Sequence, residues 1–248
     1  MTVPCFPVWR IGLLAVVVSL LWPWVAMAQS LSIDLGQGPS VSGRAVQLIL
    51  LLTVLSLAPG LAVMITCFPF IVTVLSILRQ AIGLQQAPPN ILIVSLSLFL
   101  TWYVMDPVFT RAWEAGVLPL LREEMATSEA IPLVLDPFRA FMALRVDPET
   151  FRQLVSLRPG TEMTAIAAAP LSILIPAFML SEITLAFQIG FLVFLPFLVI
   201  DMVVAAVLMS MGMMMVPPAI VSLPFKLAFF VVADGWSLIA AALVRSYA

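Results

Sequence analysis

The chain has 248 residues, 63% hydrophobic and 10% charged, against roughly 45–50% and 25% in water-soluble domains, so an integral membrane protein is expected. Its net charge of −2 comes without a basic run, which sets nucleic-acid partners aside. Histidine is absent, removing His-dependent triads and the commonest transition-metal ligand, and neither a metal nor a cofactor is expected.

Arg10, the apolar run Ile11 to Leu21 and the small-residue site Ala26-Met27-Ala28 before Gln29 read as a cleavable signal peptide over 1–28. Pro23 interrupts this run well short of the roughly 20 residues needed to span a bilayer. Residues 29–44, rich in Ser, Gly and Pro, are expected to be a flexible periplasmic leader.

A first helical hairpin is expected over 45–107. Its opening run, Ala45 to Leu78, has Pro59, Gly60 and Pro69 as break points, and Arg79 to Asn90 forms a turn on the cytoplasmic side. Ile91 to Met105 is a second span, closed by Asp106-Pro107, with Trp102 and Tyr103 suited to an interfacial aromatic belt. Of the two cysteines, Cys5 falls in the signal peptide; Cys67 has no neighbouring cation to activate it and reads as a small buried hydrophobe.

The charges crowd into 108–165, read as a periplasmic amphipathic helical region. Phe138, Phe141, Met142 and Arg145 have helical spacing, and the Asp-Pro pairs at 136–137 and 147–148 can open helices. A second hairpin follows over 166–248, with apolar arms Ile166 to Val216 and Ala219 to Leu243 around the breaker Pro217-Pro218. The fold class is therefore all-α and integral to the membrane: a signal peptide plus about four hydrophobic helical segments in two hairpins.

Glu182, Asp201, Lys226 and Asp234 lie within or against the last apolar arms. A charge near mid-bilayer costs about 2.5–3.5 kcal/mol or more, so such residues face protein or water and have partners. Lys226 and Asp234 share a helix face but stand two turns apart, which sends their partners to other helices or subunits; snorkelling to headgroups is the competing reading for Lys226. Met209, Met211, Met213, Met214 and Met215 surround Gly212 and stop at Pro217-Pro218. Soft, unbranched thioethers on a bent loop could form a gate that closes around irregular side chains, or could be ordinary apolar packing.

The segments Phe187-Gln188-Ile189-Gly190-Phe191, Phe197-Leu198-Val199-Ile200-Asp201, Met211-Gly212-Met213-Met214-Met215-Val216-Pro217-Pro218, Leu223-Pro224-Phe225-Lys226 and Asp234-Gly235-Trp236 together resemble the FliP family of flagellar export-gate proteins. Ala87-Pro88-Pro89-Asn90, Pro176-Ala177-Phe178 and Ser181-Glu182 extend the resemblance over nearly the whole mature chain. It implies a non-enzymatic subunit, present in five copies, that builds a conical channel with FliQ-like and FliR-like membrane subunits and other export-apparatus proteins. Unfolded flagellar proteins would cross the inner membrane through it, at the flagellum basal body. Carried over, Met213, Met214 and Met215 form the gasket within a gate loop that includes Met211 and Gly212, Glu182 and Lys226 make subunit contacts, and Phe141 and Phe151 serve self-assembly.

Phe70, Ser172 and Thr184 stand where the family has Arg, Arg and Lys, and the segment between Phe141 and Phe151 is short. These departures bear on whether Glu182 keeps its usual electrostatic partner, and they suggest a divergent branch or a second flagellar system. No nucleotide-binding motif is present, so driving energy is expected from proton-motive force and a separate ATPase. The rivals are the homologous injectisome subunit, a solute or ion transporter using Glu182, Asp201 and Asp234 as a proton relay, and an intramembrane protease built on Asp201 and Asp234. A transporter would predict repeated halves, and no such repeat is seen.

Overall fold

The computed structural model describes residues 41–84, 88–158, 165–213 and 215–247. The expected signal peptide, and the leader up to residue 40, lie outside the described residues. The chain divides into Met1–Leu50, whose described part is the opening of a helix, and Leu51–Ala248. All regular elements among the described residues are helical: α1 (Val41–Met64), α2 (Phe68–Ile82), α3 (Asn90–Ala112), α4 (Leu118–Leu121), α5 (Thr127–Arg145), α6 (Pro148–Ser156), α7 (Leu171–Ser210), α8 (Pro218–Val232) and α9 (Gly235–Arg245). A π-helical turn, Trp113–Val117, joins α3 to α4, and a 3-10 turn, Ile166–Ala168, precedes α7.

Among the described residues, two continuous stretches are long and apolar enough to cross a membrane, Asn90–Leu121 and Leu171–Ser210. Two bent pairs, Leu48–Met64 with α2 (67°) and α8 with α9 (62°), raise the number to four if each counts as one span. Leader residues 41–44 already belong to α1, and Pro59 and Gly60 lie inside it without ending it. The break falls later, at Ile65–Cys67. Pro69 in the first turn of α2 explains the restart, because its fixed φ and missing N–H suit a helix N-terminus. Thr66 bridges the break: its hydroxyl donates to Val63 O at 2.7 Å and accepts from the Phe68 N–H at 3.3 Å.

At the centre of the core lies α2, whose stripe Phe70, Ile71, Val74, Leu75, Leu78, Ala81 and Ile82 is buried along its length. It packs chiefly along α7 and then against α3. Ile77 fits over Gly190 of α7 so closely that a Cβ there would collide with it. A second cluster joins α5 and α6 to the start of α7 through Met142, Val146, Phe151, Val155, Leu174 and Phe178, and Phe141 touches both clusters.

Asp106-Pro107 does not close the second span. Its helix runs through Pro107 to Ala112 because the buried stripe Ile93, Ser97, Thr101, Met105, Val108, Ala112 continues in register across the proline. Burial of that face outweighs one missing backbone hydrogen bond. Likewise Asp136-Pro137 lies inside α5 and opens nothing, whereas Asp147-Pro148 does start α6, with Asp147 as N-cap. The expected arm Ala219 to Leu243 is two helices, bent at Asp234.

With 40 residues, α7 passes Pro176, Gly190 and Pro196 unbroken. At 1.5 Å per residue it is about 60 Å long, twice the roughly 30 Å hydrocarbon core. It therefore cannot lie upright within one bilayer thickness.

Tight packing elsewhere gives a direct test. A Cβ on Gly116 would lie 3.0 Å from the Ala130 carbonyl oxygen and 3.0 Å from the Val134 backbone nitrogen, both in α5. Backbone cannot rotate aside as a side chain can, so Gly116→Ala is expected to destabilise the subunit by about 1–3 kcal/mol, read as a lower unfolding midpoint in detergent.

Candidate functional site

The end of α7 and the start of α8 form a tightly specified loop. Gly212 takes φ 74°, its N–H donates to Met209 O at 3.1 Å, and the Met213 N–H donates to Leu208 O at 3.0 Å. These are the paired bonds of a Schellman motif, which needs a left-handed residue at the position Gly212 occupies. Pro217 then caps α8 and Pro218 takes its first position, where a missing N–H is harmless.

Between these two stops the methionines point outward. Met211 is 66% exposed, Met213 41% and Met215 97%, while Met105 and Met142 of the core are at 0% and 1%. The loop methionines are thus displayed by the subunit and do not fill its interior. Met214 lies outside the described residues. Below the loop, Val203, Val207, Met211, Met213, Val221 and Phe225 help to line an open apolar groove of about 550 Å³ between α7 and α8.

Two ionic clusters sit inside the helices. In the first, Arg145 of α5 donates from Nε to Glu182 Oε1 at 2.8 Å, with side-chain exposures of 17% and 1%. The Tyr247 hydroxyl donates to the other oxygen, Oε2. Arg145 also donates from Nη1 to Ser246 O at 2.9 Å, and its guanidinium lies 4.2 Å from the centroid of the Tyr247 ring. Phe70 meets Tyr247 edge-on at 5.5 Å, and Phe141 stacks on Tyr247 at 5.9 Å.

Phe70 is fully buried against the aromatic wall of this cluster, and the cation for Glu182 arrives from another helix. Arg145 is not among the site residues expected from the sequence. The usable signal was its place on the otherwise apolar stripe Phe138, Phe141, Met142, Arg145: a charge on a core-facing stripe requires a buried partner. Ser172 accepts from Arg158 Nη1 at 2.8 Å, and Thr184 is exposed.

In the second cluster, Lys226 of α8 donates from Nζ to Asp201 Oδ2 at 2.6 Å and to Ala81 O, at the end of α2, at 3.0 Å. Ser222 donates to Asp201 Oδ1 at 2.6 Å. Lys226 is 5% exposed, so it does not snorkel. The remaining charge, Asp234, is exposed at the α8–α9 elbow in the left-handed region, φ 48°, which an Asp tolerates better than most residues. It is therefore not a buried charge within the subunit. Phe151 is 3% exposed inside the second core cluster and Phe141 is half-buried in the aromatic wall, so both pack within the subunit.

Close to the first cluster, the exposed Asp147 carboxylate accepts from the backbone N–H of Thr150 at 2.8 Å and from its hydroxyl at 2.9 Å. The Asp147 N–H itself donates to Ser181, beside Glu182. The bonds from Thr150 favour the charged form and hold the carboxyl below its ordinary pKa. With the folded pKa depressed, the cap contributes fully above the unfolded value and is lost as pH falls through the folded one. The Thr150 amide resonance is expected to stay at its capped position until below the ordinary Asp range, and Asp147→Asn should remove that titration.

The profile of the FliP family matches residues 51–243, a range that contains the Met loop and the Arg145–Glu182 and Lys226–Asp201 pairs. The chain is 51% identical over 238 residues to the flagellar biosynthetic protein FliP of Caulobacter vibrioides, covering 96% of this chain and 90% of the relative. It is 44% identical over 228 residues to FliP of Rhizobium meliloti (90% and 93% covered) and 41% identical over 221 residues to FliP of Bacillus subtilis (89% and 100% covered).

Proposed function

The chain belongs to the FliP family, and from that premise we propose that it forms the gated pore through which unfolded flagellar proteins cross the inner membrane. As a FliP it is a subunit of the flagellar type III export apparatus, a transport component and not a known enzyme. The pore is built from five copies with FliQ-like and FliR-like subunits, at the flagellum basal body. The loop Met211 to Met215, with Gly212 as its pivot, is the seal.

One observation supports the gate above all: the loop methionines are turned out of the subunit by a backbone motif that leaves little local freedom, while core methionines are fully buried. Thioether side chains can conform to irregular passing residues and close again behind them. Alanine in their place, with the ion conductance of the resting, assembled complex as readout, tests the reading.

The flagellar branch is favoured over the injectisome by the relatives, each named a flagellar biosynthetic protein. A proton relay through Glu182 and Asp201 is disfavoured. The two lie on one helix, 19 residues or about 28 Å apart, and each is neutralised by its own cation, Arg145 or Lys226. Glu182 therefore contributes first to the subunit's own fold, and any subunit contact it makes acts through that cluster.

A further inference from the structure

The two arms that carry the Met loop are joined very unevenly. At their base, Phe197 of α7 meets Phe229 and Phe230 of α8 at ring distances of 6.0 and 6.3 Å. One turn closer to the loop, Asp201 of α7 is held by both Lys226 and Ser222 of α8. From beside that level the arms flank the open groove, which starts at Val199 and Ile200 and continues past Val203 and Val207 to Met211 and Met213. The polar tie therefore stands next to the aromatic base, at the root of the groove that leads to the loop.

The same ammonium also reaches the core. Lys226 Nζ donates to Ala81 O, a carbonyl in the last turn of α2, where α2 ends at Gly83 in the left-handed region. A cation there satisfies an orphaned carbonyl and complements the helix dipole. One buried group thus binds three helices, α2, α7 and α8, at the root of the loop-bearing tip.

We infer that Lys226, with Asp201 and Ser222, is the hinge that positions the Met gate: the segments beyond it move as one unit about this node, and the node sets where the methionines rest. Lys226 is a positioning residue; it touches no passing substrate. The assignment rests on the pore reading above and adds to it the element that holds the gate closed. Within the subunit this charge already has an anionic partner, Asp201, and a carbonyl partner, Ala81 O.

The test is the resting ion conductance per assembled complex, measured with the complete export-gate complex in a bilayer. Lys226→Met and Asp201→Asn are expected to raise it by about tenfold while export of substrate continues, and Lys226→Arg should return it towards the parent value. A merely structural role would lower the number of assembled complexes without changing the conductance of each. Should Lys226→Met fail to assemble, the double variant Lys226→Met with Asp201→Leu leaves no buried charge unpaired and carries the test. Assembled variants with unchanged resting conductance overturn the hinge. If the loop-methionine variants leak and these do not, the hinge alone fails; if neither leaks, the pore reading fails with it.

Discussion

Replacing Met213, Met214 and Met215 together with alanine is expected to make the resting complex leak small ions while leaving its assembly intact. The loop backbone is held by the Gly212 Schellman turn and by Pro217-Pro218, and none of these depends on a methionine side chain. The substitutions should therefore preserve the loop and remove only what it displays. Met215 is 97% exposed in the subunit, so truncating it removes little intrasubunit packing. If each lost thioether weakens closure by about 1.4 kcal/mol, the open fraction rises about tenfold per position. Single-channel or vesicle-flux recording on purified complexes, normalised to the number assembled, checks this. A correctly assembled triple variant that stays tight would return the methionines to ordinary packing.

Breaking the Glu182 cluster is expected to be the most damaging change to the subunit itself. Glu182→Ala leaves the Arg145 guanidinium buried without its carboxylate, and Arg145→Ala does the converse. Removing one partner of a buried pair costs about 3–5 kcal/mol, chiefly because the other is left uncompensated. Replacing both, Arg145→Met with Glu182→Leu, should recover most of that loss, since an apolar pair of similar volume is often neutral. Tyr247→Phe removes one hydroxyl donor from Glu182 and is expected to cost about 1–3 kcal/mol. Unfolding midpoints of the detergent-solubilised subunit, taken over all four variants, separate these cases. Equal losses in the single and double variants would show that the cluster's charge is not what stabilises it.

Much of the site was legible in the chain because its signals are local. Gly212 marks a left-handed turn, Pro217-Pro218 a stop and a restart, and the methionines between them a displayed loop, all within ten residues. Asp147-Pro148 opens α6 as its pattern implies. The same dipeptide at 106–107 and 136–137 opens nothing, because α3 and α5 each run on through their proline, α3 along a continuous buried stripe. An Asp-Pro pair states a local preference, and burial over several turns outweighs it.

The sequence alone determined the class of the protein, the loop and its punctuation, and the presence of costly charges in apolar helices. These follow from composition, from φ restrictions at Gly and Pro, and from the unfavourable transfer of a charge into an apolar medium, each a property of single residues or short runs. Only the tertiary structure decided which cation meets which carboxylate: Arg145 and Glu182 are 37 residues apart, and Lys226 and the Ala81 carbonyl 145. Those pairings arise where helices distant in sequence meet side by side, and no local pattern encodes the angle at which they do.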